Sequence, residues 1–180
     1  MRRPRPADDP RSFDSFAPVY DRFAELTGDP LRAYLASVLP DRGARALDAG
    51  CGTGRHSALL AERYDEVLAV DLSKPMLDLA RHCRARPDIT YDRCDLRDLH
   101  PERDGRFDLL LSAYTLHHVP EQELPDALKR LRDLLVPGGL VVLVDIVDPR
   151  GRVPVWRHRA DAGRRGAQDR AEAPRSELSR

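Results

Sequence analysis

The chain has 180 residues, 41% of them hydrophobic, which fits one domain with a sizeable core and excludes both wholesale disorder and a pair of ordinary domains. Thirty basic and thirty acidic residues cancel; residues 149–180 are basic, but the body carries no basic stripe with interleaved aromatics, so nucleic acid is not the expected partner. No apolar run approaches the roughly 20 residues that cross a bilayer, no apolar h-region follows MRRPRPADDPR, and Cys51, Cys83 and Cys94 form no C-x-x-C pair, so membrane insertion, a secretory signal, disulfides and a zinc site are not expected and a cytoplasmic protein is.

Residues 1–12, rich in Pro, Arg and Asp, read as a disordered N-terminus. Phe13, Phe16, Tyr20 and Phe23 recur at spacings of three and four and predict an amphipathic helix over Phe13–Leu26. Asp29-Pro30 is an N-cap followed by proline at the first helical position, and Leu31, Tyr34, Leu35 and Val38 continue a second helix that stops at Pro40. From residue 44 strands and helices alternate. Ala44–Ala49 is a strand, and a glycine-rich turn leads into a helix over Arg55–Arg63. Glu66–Asp71 is a second strand; Ser73 caps a helix whose inner face is Met76, Leu77, Ala80 and Cys83. Asp88–Cys94 is a third strand, and Phe107–Ala113 (FDLLLSA) is a fourth, apolar enough to be buried on both faces. Glu121–Leu135 is a helix with Leu124, Leu128, Leu131 and Leu135 on one stripe; Pro137-Gly138-Gly139 breaks it, and Leu140–Val147 is a fifth strand. Residues 149–180, rich in Arg, Ala, Gly and Pro, show no strand pattern and read as a disordered tail, so residues 13–148 form the domain.

Five strands joined by helices predict an α/β fold with a parallel, doubly wound sheet, because parallel neighbours need right-handed crossovers. Ligands of such sheets bind at the carboxyl ends of the strands where the strand order reverses. The first strand is that point, and Asp48-Ala49-Gly50-Cys51-Gly52-Thr53-Gly54 sits at its end. Glycine there lets backbone approach a ligand closely, and the following helix aims free N–H groups at it. A dinucleotide loop reads G-x-G-x-x-G; this one reads D-x-G-x-G-x-G. A carboxylate beside a pyrophosphate is repelled by of order 1 kcal/mol or more. The same carboxylate suits the ammonium group of S-adenosylmethionine (SAM). Asp71 ends the second strand 21 residues after Gly50, the position of an acid that accepts from both ribose hydroxyls. Leu72 and Met76 follow it and can pack on adenine, and Asp95 after the third strand can accept from the adenine amino group, with Asp98 as the competing acid.

Together these segments resemble class I SAM-dependent methyltransferases, in particular the small-molecule group of ubiquinone and menaquinone biosynthesis C-methyltransferases. The resemblance covers about residues 13–147. ALDAGCGTG is similar to the family's SAM loop, AVDLSKPML to its ribose-acid segment, RCDLRDL to its adenine segment, FDLLLSAYTLHHV and LRDLLVPGGLVVLVD to its fourth- and fifth-strand segments, and FDSFAPVYDRF to a helix that lids the cofactor. The resemblance implies a Rossmann-like sheet of order 3-2-1-4-5 with N-terminal helices, SAM as cofactor and a small-molecule acceptor. It implies that Gly50 and Gly52 approach the methionine moiety with Cys51 between them, that Asp48 faces its amine through water, and that Asp71 holds the ribose. Asp95 and the backbone at Leu96 then read adenine, Ser112 lines the methionine end, and Tyr20 closes over it. His117 and His118 follow the fourth strand at the mouth of the site, where one of them can act as a general base. The chain departs from the family after the fifth strand, where further strands are missing or degenerate. This leaves a sheet edge open to pairing with a second copy, and leaves SAM binding without turnover as the alternative to methyl transfer.

Overall fold

The computed structural model describes residues 17–26, 30–145 and 157–159. The expected disorder of residues 1–12, the positions of Phe13 and Phe16, and most of the tail lie outside them. The elements run α1 (Ala17–Leu26), α2 (Pro30–Val38), β1 (Gly43–Ala49), α3 (Arg55–Leu60), β2 (Tyr64–Asp71), α4 (Lys74–Cys83), β3 (Ile89–Arg93), α5 (Pro101–Asp104), β4 (Phe107–Ala113), α6 (Leu124–Asp133), β5 (Leu135–Val144) and β6 (Arg157–Arg159). The sheet order is β3-β2-β1-β4-β5-β6, the first five strands parallel. β1 lies between β2 and β4, so the reversal of strand order falls at the glycine-rich turn, as the reading of the sequence requires.

Successive strand residues point to opposite faces, and each face has its own helical cover. On one face Ala46, Val67, Ala69, Leu109 and Leu111 pack with α2, α3 and Leu77 of α4. On the other Leu47, Val70 and Leu110 pack with Ala127, Leu131 and Leu134 of α6 and its neighbour, and with Leu116. β4 is the strand most deeply enclosed by both layers, and its bounds are those the sequence predicts. Leu110 is fully buried. Leu110→Ala is therefore expected to destabilise the protein by about 3–5 kcal/mol in equilibrium denaturation, through lost burial and the cavity left behind.

The structure corrects several details. In α6 the buried residues are Ala127 and Leu131, while Leu128 is 36% exposed, so the inner stripe runs through 124, 127, 131 and 134 rather than through 128. Cys83 is exposed instead of facing inward, although Ser73 does cap α4, accepting from Met76 N at 3.4 Å. β5 starts at Leu135, not Leu140; Pro137-Gly138-Gly139 lies within its span as an irregularity, Phe107 pairing with Leu135 and Leu109 with Leu140. Between these pairs one residue of β4 thus faces four of β5, because Pro137 has no N–H to give the ladder and Gly138 takes φ +83°. The tail does supply a strand. β6 pairs antiparallel with Leu140, Val141 and Val142, so β5 is not an open edge over those residues. No described helix is long and apolar enough to cross a membrane.

Candidate functional site

At the carboxyl ends of β1, β2 and β4 the structure opens a cleft. Its base is the turn after β1. Gly50 N and Cys51 N both donate to Val70 O, at 2.8 and 2.9 Å, which pins the turn against β2. Gly50 has φ +84°, and a Cβ built on it would lie 2.1 Å from Thr115 Oγ1, so only glycine fits there. Gly52 has φ +53° and open space where its Cβ would be, on the side that faces the cleft.

The Asp71 carboxylate is the focal group. Its Oδ2 accepts from Gly52 N and its Oδ1 from Ser73 N, both at 2.8 Å. Burial raises its pKa from the ordinary carboxylate value, opposed by those backbone N–H groups and by the nearby His118. A carboxylate offers about four acceptor positions, so capacity remains for the two hydroxyls of a vicinal diol. Leu72 and Met76, beyond Asp71, line the cleft with Leu96 and with Tyr20 of α1.

Asp95 also reaches the cleft, whereas Asp98 is exposed. Arg97 closes on Asp95 with three donors: N at 2.8 Å and Nε at 2.9 Å to Oδ1, and Nη2 at 2.5 Å to Oδ2. These bonds hold the Asp95 carboxyl below the usual range. Arg97 Nη1 continues to Glu123 at the start of α6. Asp95 is thus both a turn cap and a cleft acid, with one lone pair of Oδ2 still available. Arg97 was not singled out from the sequence; the signal is its position two residues after Asp95, within reach of a cap geometry.

Four expected site residues are not on the cleft wall. Asp48 lies one layer behind the turn, 1% exposed, accepting from Ser57 Oγ at 2.6 Å. Burial pushes its pKa up to about 7, against the opposing Ser57 hydrogen bond. Burial thus disfavours its charged form, and the acids that line the cleft directly are Asp71 and Asp95. Cys51 is buried beneath the turn with its thiol pKa pushed up by burial. Ser112 is buried at the end of β4, and its Oγ has no hydrogen-bond partner among the described residues. His117 turns away from the cleft to Asp145, just past β5: Nδ1 lies 2.5 Å from Oδ1 and the His117 backbone N donates to Oδ2 at 3.1 Å. His118, its ring centroid 3.8 Å from that of His117, lines the cleft instead.

Two further residues define the mouth. Tyr114, 41% exposed, has φ +55°, and is the one non-glycine residue of positive φ among those described. Its N–H donates to Val144 O at 2.7 Å, holding the turn after β4 in a conformation that costs tyrosine of order 1 kcal/mol. Thr115 Oγ1 bonds Ala113 O at 3.0 Å and Gly50 O at 3.3 Å, joining the turns after β1 and β4. Strain sited beside a cleft is invisible to residue spacing.

The donor set suits SAM: a buried acid for the ribose, a second acid flanked by apolar walls for the base, and glycines open toward the amino-acid end. Comparison with known proteins agrees. Residues 46–139 match the methyltransferase domain family. The chain is 38% identical over 146 residues to the cypemycin N-terminal methyltransferase of a Streptomyces species, covering 78% of this chain and 58% of that protein. It is 33% identical over 142 residues to a ubiquinone biosynthesis O-methyltransferase of Xanthomonas axonopodis pv. citri, covering 72% of this chain and 58% of that one. SAM-bound CalS10, an amino pentose methyltransferase of Micromonospora echinaspora, superposes with a TM-score of 0.62 at 28% identity, covering 75% and 59%. The chain spans about three-fifths of the length of these relatives. With this family model covering half of its residues and this sheet order, the chain belongs to the SAM-dependent methyltransferases.

Proposed function

We propose that this protein transfers the methyl group of SAM to a small-molecule acceptor at the cleft mouth. The observation that carries the reading is Asp71, a buried acid at the end of β2, pre-oriented by Gly52 and Ser73 N–H groups. SAM supplies an already activated methyl group, so no side chain has to generate an electrophile. Asp71 would hold the ribose, Asp95 would accept from the adenine amino group, and Leu72, Met76 and Leu96 would exclude water from the base. The turn at Gly50 and Gly52 would receive the methionine end, and Tyr20 would cover it. What remains is to hold an acceptor atom roughly 3–3.5 Å from the methyl carbon and in line with the sulfur. Tyr114, Thr115 and His118 line part of the cleft that the cofactor roles leave over.

Of the two histidines, His118 suits a general base because it faces the cleft, and His117 suits a positioning role because Asp145 holds it. A base matters only where the acceptor is a hydroxyl or an acidic carbon. The relatives' names span a peptide N-terminus, an amino sugar and a ubiquinone-pathway oxygen, so their chemistry favours no single acceptor atom and the ubiquinone group is one candidate among several. A second reading is cofactor binding without turnover, which the positions of Ser112 and His117 off the cleft wall favour.

Calorimetry with SAM, S-adenosylhomocysteine (SAH) and NAD, followed by transfer of labelled methyl to a panel of amines, phenols and quinols, tests both. Binding of SAM and SAH but not NAD, with labelled product, upholds methyl transfer. Binding with no product across the panel favours the second reading, and absence of SAM and SAH binding overturns both. With a phenol acceptor, His118→Ala is expected to lower kcat about 100-fold while SAH affinity changes less than about twofold. Equal losses with amine and phenol acceptors would remove the base role.

A further inference from the structure

We propose that Asp21 is a positioning residue that latches helix α1, and with it Tyr20, onto the glycine-rich turn, so that lid closure and cofactor retention are coupled. The proposal rests on the reading that α1 covers the cofactor. Its basis is a closed triangle of polar contacts beside the cleft. Thr53 Oγ1 donates to Asp21 Oδ1 at 2.5 Å. Arg84 Nη2 bonds Asp21 Oδ2 at 2.7 Å. Arg84 Nη1 donates to Thr53 O at 2.9 Å. Each member therefore bonds both others, and the three come from three separate places: α1, the turn after β1, and the residue that ends α4.

The site is sheltered. The Thr53 side chain is buried, and the Arg84 and Asp21 side chains are 18% and 28% exposed. A two-pronged guanidinium contact in such surroundings is stronger than an exposed ion pair, because it is charge-assisted and poorly screened. The mechanical need is clear. A helix of ten residues is marginal in isolation, so α1 keeps its shape only while docked. Asp21 is adjacent to Tyr20, so fixing its carboxylate also fixes which way the Tyr20 ring faces. Thr53 is adjacent to Gly52, whose N–H bonds Asp71. The latch thus connects the lid to the hydrogen bond that orients the ribose acid, through two consecutive backbone steps. The Tyr91 hydroxyl also donates to Arg84 O at 3.2 Å.

The test uses the full chain and SAH as probe, with two readouts: the rate of SAH dissociation by stopped-flow displacement, and hydrogen exchange of the peptide covering residues 17–26. In Asp21→Ala, SAH is expected to leave about 10-fold faster with an association rate changed less than twofold, and α1 is expected to lose exchange protection with the melting temperature nearly unchanged. Arg84→Ala is expected to do the same, and the double variant no more than either, since both break one device. Asp21→Asn, which keeps an oxygen for Thr53, is expected to fall between. Tyr20→Ala separates the two layers of the argument. If Tyr20→Ala speeds SAH release while Asp21→Ala and Arg84→Ala alter neither release nor α1 exchange, the latch is wrong and the lid stands. If Tyr20→Ala changes nothing while Asp21→Ala deprotects α1, the helix is latched but does not retain the cofactor, and the proposed coupling is overturned. Should SAH not bind the wild-type chain, the functional reading fails, and unchanged α1 exchange in Asp21→Ala would overturn the latch independently.

Discussion

Asp71→Ala is expected to weaken SAH binding at least 100-fold, beyond the range of ordinary calorimetry. In the proposed binding mode this carboxylate would make both ribose contacts, so its loss would remove the two at once. Each charge-assisted hydrogen bond to a diol contributes about 1.5–3 kcal/mol, so two are worth roughly 3–6 kcal/mol, and every 1.4 kcal/mol is tenfold in affinity. The side chain has a second task. It accepts from Gly52 N and Ser73 N, so its removal also frees the turn and the start of α4 that shape the cleft. Asp71→Asn separates the tasks. The amide oxygen keeps one acceptor, but the amide nitrogen cannot accept from a backbone N–H, so about a tenfold loss is expected. The ligand-free melting temperature of Asp71→Ala is expected to stay within about 5 °C of wild type, because the burial that raises the pKa of Asp71 makes its charge costly to the fold. SAH affinity within threefold of wild type in Asp71→Ala would remove the ribose role.

Much of this site could be read from the chain because its parts are local. The glycine turn, the acid at the end of β2 and the Ser73 cap are set by spacing along one strand–turn–helix unit, and Tyr20, Leu72, Met76, Asp95 and Leu96 line the cleft. β4 was legible to the residue because a run buried on both faces has little freedom in where it ends. The failures share a different cause: each depends on the direction in which a side chain points. Asp48 and Gly50 are two residues apart, yet one enters the layer under α3 and the other the cleft. The sequence holds a clue, Ser57 on the first turn of α3, but its hydroxyl becomes a partner only once that helix is folded back over β1. His117 and His118 are adjacent, yet His117 bonds Asp145 while His118 lines the cleft, because the short turn that carries them rotates each residue by about a third of a circle. In α6 a leucine stripe does not reveal the inward-facing position, which belongs to Ala127. Asp21, Thr53 and Arg84 are separated by about 30 residues at each step, and no pattern along the chain brings them together.

Asp48→Asn is expected to stabilise the protein above neutral pH, by about 2–3 kcal/mol at pH 8. The group is an acid whose pKa is about 7 in the folded protein, with burial the leading cause, and about 3.9 in an unfolded chain. Between those two values the folded state binds the more protons. Stability therefore falls as pH rises from about 4 to about 7, and is level beyond it. At 1.36 kcal/mol per unit, a shift of about three units amounts to roughly 4 kcal/mol lost by pH 8. Asparagine keeps an oxygen for the Ser57 hydroxyl but gives up the charge-assisted part of that bond, about 1 kcal/mol, which leaves the net gain stated. Thermal unfolding is expected to show Asp48→Asn melting roughly 5–10 °C above wild type at pH 8, with the gap closing toward pH 4. The same substitution is expected to remove a dependence of SAH affinity on pH. In the wild type, an ammonium group placed at the turn favours the ionised form of Asp48 behind it, so binding tightens from pH 6 to pH 8; in Asp48→Asn that gain is absent. The natural chain then carries a destabilising buried acid because the ligand compensates it. A variant that melts below wild type at pH 8 would show instead that Asp48 holds the turn through its charge, and that the cost of burying it is smaller than its isolation from water implies.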